Sequence, residues 1–272
     1  MENDRAVNEF QIDFNCSSCS KIKHNSKSIP VYRIIEKLDS YFSKNDLESA
    51  TSLLKYWQNE AVQLGDSSGE LSIVNEQLGL YRKINDEVGA EIAISRAIEL
   101  LALNNAENTI SGATIMLNAA TTCKAFKKLD KALILYDKAS EIYNKKLEKD
   151  DPRFAALYNN YATALVDLKR YDEALQFYKT AINITEKNPE TVPDCAITFV
   201  NMAHLYAEML GTDSVEIEEC LLKAEQLLDS CDKQNSYYAF VCDKCAPSFD
   251  YFGFFLTAKK LYKKAEEIYA GN

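Results

Sequence analysis

Glycine and proline are scarce: the 272 residues contain 8 Gly and 5 Pro. That is too little punctuation for an all-β sandwich or a loop-rich scaffold. Histidine is scarcer still, with two in the chain, on different segments. They are joined by no Gly-rich phosphate loop and by no nucleophile whose spacing would bring a base beside it. Paired carboxylates are plentiful, but nothing selects one pair, so the expectation is a protein that is not an enzyme and needs no cofactor. No block of Lys or Arg occurs, and 31 basic against 41 acidic residues leave a net charge of −10. A nucleic acid or an anionic membrane demands a basic footprint, so neither is an expected partner, and a basic or apolar protein is the natural one. No apolar run approaches the about 18 residues of a membrane span. The opening MENDRAVNEF lacks the apolar core of a secretory signal. The chain is therefore expected in the cytoplasm, with its eight Cys mostly as reduced thiols on helix faces.

What is present is helix-forming. Ala, Leu, Glu, Lys and Tyr abound, and a hydrophobic fraction of 47% is ample for a core. The stretch Tyr158 to Ala181 shows the pattern at its plainest. Tyr158, Tyr161, Ala162 and Leu165 fall at i, i+3, i+4 and i+7, making one apolar helical stripe. After a short polar turn, Leu175, Tyr178 and Ala181 make another, and the small residues Ala162 and Ala174 let the two backbones pack closely. Such a hairpin cannot bury both faces alone and needs copies of itself beside it.

The copies are there. Second helices carry the triples Ala50, Leu54, Trp57; Ala90, Ile94, Ala97; Ala132, Tyr136, Ala139; Ala174, Tyr178, Ala181; Cys220, Ala224, Leu227; and Ala258, Tyr262, Ala265. Their leading residues stand 40, 42, 42, 46 and 38 apart. First helices keep the same beat with Ile34, Leu38, Tyr41; Val74, Leu78, Tyr81; Met116, Ala120, Cys123; Tyr158, Ala162, Leu165; Phe199, Ala203, Tyr206; and Cys242, Ala246, Phe249. The irregular 46-then-38 is assigned to a longer turn in the fifth copy, over Met209–Ser214, with Gly211 as breaker. The fold class that follows is all-α, about six helix pairs near residues 31–64, 70–104, 107–148, 153–187, 193–231 and 237–271. They make one domain over 29–272, preceded by a polar tail at 1–28. In that tail Phe10, Ile12 and Phe14 alternate with polar residues like a short strand. It reads as a tail or flap over the first helices, or as an extended segment that folds back into the groove as an internal ligand.

The order aromatic-x-x-apolar-small-x-x-apolar, then small-x-x-x-aromatic-x-x-small, resembles the tetratricopeptide repeat. The 42-residue period, the linker Lys149-Asp150-Asp151-Pro152 and the following Asn159-Asn160-Tyr161-Ala162 are similar to the longer repeats of kinesin light chain and of bacterial scaffold proteins. The resemblance implies a right-handed superhelical solenoid whose concave face, lined by first helices, holds an extended peptide.

Asn118, Asn160 and Asn201 each stand two residues before a small core residue, Ala120, Ala162 and Ala203, and so point the same way along the stack. An amide both donates and accepts, and a ladder of amides can hold a peptide backbone without reading its sequence. In the family resembled, such Asn residues line the groove. The competing role is to tie neighbouring first helices together. Specificity falls to side chains of the same face: Thr114, Leu117, Thr121 and Lys124; Asn159, Thr163 and Asp167; Val200, His204 and Glu208. Lys124 and Lys244 are the only cations available there, so capture of a C-terminal carboxylate is not expected. Cys16, Cys19 and His24 could hold a metal with a fourth ligand, although the expectation is no metal site. Cys242 and Cys245 fall on a core stripe and read as small hydrophobes. Pro247 should kink or end the sixth first helix. The functional expectation is a non-enzymatic scaffold or adaptor binding an extended peptide of a partner protein. Alternatives are a peptide-switched regulator and a structural homo-oligomer, with the oligomeric state open.

Overall fold

The computed structural model describes residues 28–186, 189–231 and 235–271. Among them are twelve α-helices and one short 3-10 turn at Pro189–Thr191, with no strand. They form six consecutive antiparallel pairs: α1 Val31–Ser43 with α2 Leu47–Leu64, α3 Ser67–Lys83 with α4 Glu87–Leu103, and α5 Ile110–Ala125 with α6 Leu129–Lys146. The series continues with α7 Pro152–Asp167 and α8 Tyr171–Thr185, α9 Val192–Leu210 and α10 Val215–Asp229, and α11 Ser236–Tyr251 and α12 Phe255–Gly271. The chain divides into two compact units, one ending at Leu147 and one beginning at Glu148.

The turns within pairs explain why the period is so regular. Five of the six join their helices through three residues, and the middle one has positive φ: Asn45, Asn85, Lys127, Lys169 and Gly253. The following N–H then closes back onto the helix. Asp46, Asp86, Lys128, Arg170 and Phe254 donate to the carbonyls of Tyr41, Tyr81, Cys123, Leu165 and Phe249 at 2.8–2.9 Å. This six-to-one bond around a left-handed residue is the Schellman way of ending a helix, and it spends an otherwise unpaired carbonyl. In the first two turns the same residue also opens the next helix: the Asp46 carboxylate accepts from the N–H of Ser49 and that of Asp86 from Gly89. The fifth turn is longer, as its spacing predicts: α9 runs to Leu210, and Gly211 at φ 91° begins a four-residue link to Val215.

Close helix approach rests on the small residues. Ala50, Ala90, Ala132 and Ala174 on second helices, and Ala120, Ala162, Ala203 and Ala246 on first helices, have no exposed surface. Around them lie Leu38, Leu54, Leu78, Tyr136, Tyr178, Tyr238 and Phe249, all buried. The Tyr143 hydroxyl meets that of Thr114 at 2.8 Å, and Tyr238 donates to the Leu228 carbonyl at 3.0 Å, so these phenols keep a polar partner inside the core. Glu70 on α3 is buried but takes both nitrogens of the Arg96 fork from α4 at 2.7 and 2.8 Å. A charge placed there is tolerable because the pairing is bidentate.

Several expectations are corrected. Tyr262 is exposed, and its neighbour Leu261 is buried in its place. Trp57, Tyr158 and Tyr206 are half-buried flank residues, not core. Tyr158 stacks between Phe154 and Phe177 at 5.6 and 5.3 Å. Pro247 does not end its helix: α11 continues four residues past it to Tyr251. Its ring lies on the exposed side, where solvent can meet the carbonyl that loses its donor.

Candidate functional site

The first helices set the geometry of the face that sequence reasoning singles out. In the unit ending at Leu147, α3 packs beside α5; in the unit beginning at Glu148, α9 packs beside α7 and α11. Side chains that leave these helices away from their second helices therefore form rows.

The amides occupy those rows in pairs. Asn118 Nδ2 donates to Asn75 Oδ1 at 2.9 Å, from α5 to α3. Asn201 Nδ2 donates to Asn159 Oδ1 at 2.9 Å, from α9 to α7. In both, the donor stands two residues before the register position, Ala120 or Ala203, and the acceptor three before it, Leu78 or Ala162. The acceptors Asn75 and Asn159 thus belong to the arrangement as much as the donors. Asn75 is the member that sequence reasoning missed, and an Asn at that offset was its only signal. At the same offset the third pair has Leu117, so the series of amide acceptors breaks there. Asn160 itself is half-buried, and its carbonyl accepts from the Thr163 hydroxyl at 2.7 Å.

The remaining residues divide. Thr114, Leu117 and Val200 are buried and cannot present a side chain to a ligand; Thr114 faces Tyr143 of its own second helix. Thr121 is half-buried, with its hydroxyl on the Leu117 carbonyl at 2.9 Å and 3.2 Å from the Tyr136 hydroxyl. Lys124 lies half-buried in the last turn of α5. His204 on α9 reaches the Ser248 hydroxyl on α11 at 2.8 Å and lies 4.9 Å from the Phe252 ring. Burial, only partly opposed by Glu208, holds its imidazole below the ordinary value, so the ring is neutral near pH 7. Tyr237 and Asp194 add a short hydrogen bond between α11 and α9. Lys244 is exposed, with its ammonium 5.6 Å from the Phe240 ring.

Cys16, Cys19 and His24 lie outside the described residues. Cys242 and Cys245 are fully buried on α11; burial pushes the Cys245 thiol up to about 12 and raises that of Cys242 as well. Among the described residues no three His, Cys, Asp or Glu side chains come together as metal ligands would. None of the described helices is long and apolar enough to cross a membrane.

The repeat geometry agrees with a sequence comparison. The tetratricopeptide-repeat family model matches residues 112–187 and, one period later, 153–228. These are tetratricopeptide repeats. The helix pairs on either side of them have the same tetratricopeptide-like antiparallel form. Comparison with curated protein sequences gives no match. Among solved structures, BtubC (BKLC) from P. vanneervenii is similar at 22% identity, with 74% of this chain and 80% of that chain covered and a TM-score of 0.61. A Rap protein complexed with competence and sporulation factor is similar at 11% identity, covering 89% of this chain and 65% of that one, TM-score 0.56. The apo form of RapI gives 15%, 88%, 97% and 0.51 for the same quantities. At such identities the likeness is one of tetratricopeptide fold.

Proposed function

We propose that the protein is an interaction scaffold that holds an extended segment of a partner protein against its first helices. Tetratricopeptide repeats generally act as protein-binding scaffolds and not as enzymes. The observation that carries the finer reading is the half-buried amide row of the second unit, Asn159, Asn160 and Asn201, with Thr163 and His204 beside it. A row of amides across adjacent helices offers donors and acceptors to a strand-like backbone, and neighbouring side chains select among sequences. In the corresponding row of the first unit Asn118 is buried with its amide on Asn75, so Thr121 and Lys124 are the groups left to a partner there.

Selection of a displayed random-peptide library on the full-length protein tests this. Enriched peptides should bind in calorimetry, and Asn160→Ala should weaken them about tenfold, the value of one lost buried hydrogen bond, without shifting the melting temperature. No enrichment, or enriched peptides indifferent to Asn160→Ala and Thr163→Ala, would overturn the proposal.

A further inference from the structure

Tyr262 is open at a register position that is closed elsewhere in its unit. Tyr178 and Thr185 stand four and eleven residues after the small residue Ala174 of α8. Both are buried, on a helix that packs against α7 before it and α9 after it. Tyr262 and Tyr269 stand four and eleven residues after Ala258 of α12, yet they are 43% and 41% exposed. Phe255, seven residues before Tyr262, is 64% exposed.

The contacts of α12 identify the side on which these rings lie. Thr257 donates to Glu225 Oε1 at 3.1 Å, and Lys260 and Lys264 donate to Asp229 at 2.6 and 3.2 Å, so these three side chains face α10. Ala258, Leu261 and Ala265 are buried where α12 packs against α11. Successive residues turn by about 100°, which puts Phe255 and Tyr269 within about 20° of Tyr262 and all three rings roughly opposite the α10 side. They face away along the stack, from the last described helix.

An aromatic stripe gains by leaving water, and the charges beside it select what covers it. Lys259 and Glu266 are exposed on the same side of α12, and neither forms an ion pair among the described residues. Phe255 and Tyr269 are equidistant from Tyr262, while Lys259 and Glu266 straddle it, three residues before and four after. The stripe is thus nearly palindromic in shape and opposite in charge at its two ends. A second copy laid antiparallel across it, about a twofold axis at Tyr262, brings Phe255 to the partner's Tyr269 and Lys259 to the partner's Glu266, and each contact occurs twice. A parallel copy sets like charges against each other.

We propose that α12 is a self-association surface: two copies of the chain pair through antiparallel stripes of Phe255, Tyr262 and Tyr269, with Lys259 and Glu266 fixing the direction. The stripe is only about 21 Å long. It covers less than a tight interface does, so the dimer is a weak one, with a dissociation constant on the order of 10 μM. The surface lies apart from the amide row, and the proposal is independent of the peptide-binding reading.

Sedimentation velocity of the full chain between about 1 and 200 μM tests this, because that range spans the expected dissociation constant. The wild type should pass from monomer to dimer and grow no further. Tyr262→Glu should stay monomeric with an unchanged helical circular dichroism spectrum. Lys259→Glu and Glu266→Lys should each weaken the dimer about tenfold, since each turns two attractive pairs into repulsive ones. The double variant restores opposite charges and should recover dimerisation. A wild type that is monomeric throughout, growth beyond the dimer, a dimer indifferent to Tyr262→Glu, or a double variant no stronger than either single one would overturn the proposal.

Discussion

An amide that has lost its partner costs most where water cannot replace it. Asn118→Ala removes the donor to Asn75 Oδ1 in a setting only 8% exposed at Asn75, and should destabilise by about 1–3 kcal/mol. Asn201→Ala removes the same bond from half-buried Asn159, where water can enter, and should cost less than about 1 kcal/mol. Urea denaturation of both variants checks the ordering, and equal losses would refute it. The equivalence of Asn118 and Asn201 was legible from a beat of about 42 residues. Their acceptors were not, because a bond between helices depends on the lateral offset of the two axes, which a period along one chain does not encode. Lys127 and Lys169 show the same limit. Lysine has no turn signature, and these two take positive φ because the register places them where Asn45 and Asn85 sit in earlier pairs.

At the scale of one helix, stripes are legible to about one residue. Leu261 and Tyr262 are both apolar and differ by about 100° around α12. A stripe through Ala258 and Ala265 admits either, and burial of Leu261 is decided by the neighbour it meets. Pro247 was misread for a different reason: the rule that proline stops a helix counts the lost hydrogen bond but not its surroundings. Packing of Cys242, Cys245, Ala246 and Phe249 on the buried side outweighs the loss, because the ring sits on the solvent side. The cost is nevertheless still present. Pro247→Ala restores an N–H that can reach the Asp243 carbonyl, and should raise stability by about 1–3 kcal/mol, proline being the poorest residue for a helix interior. A melting temperature unchanged or lowered by this substitution would mean that the ring makes packing contacts that offset its backbone penalty.

At the scale of the whole chain, the fold was legible because six pairs repeat one solution, so errors at single positions average out. Within each unit the same repetition makes energetics local: a pair meets the next one, as α9 meets α7, α8 and α11, and stability is close to a sum of pair and nearest-neighbour contributions. Ala174 is a direct probe. It has no exposed surface at the α7–α8 crossing, and Ala174→Leu adds three carbons where backbones approach closely, which should cost about 1–3 kcal/mol through overpacking. Native-state hydrogen exchange resolves where that loss falls. Protection should drop in α7 and α8 and, more weakly, in α9 and α10, while amides of α3 and α4 keep their wild-type rates. A uniform drop across all twelve helices would show that the stack opens as one cooperative body. In that case a substitution such as Asn160→Ala could no longer be assumed to act on binding alone, since any strain at the amide row would be felt throughout the chain.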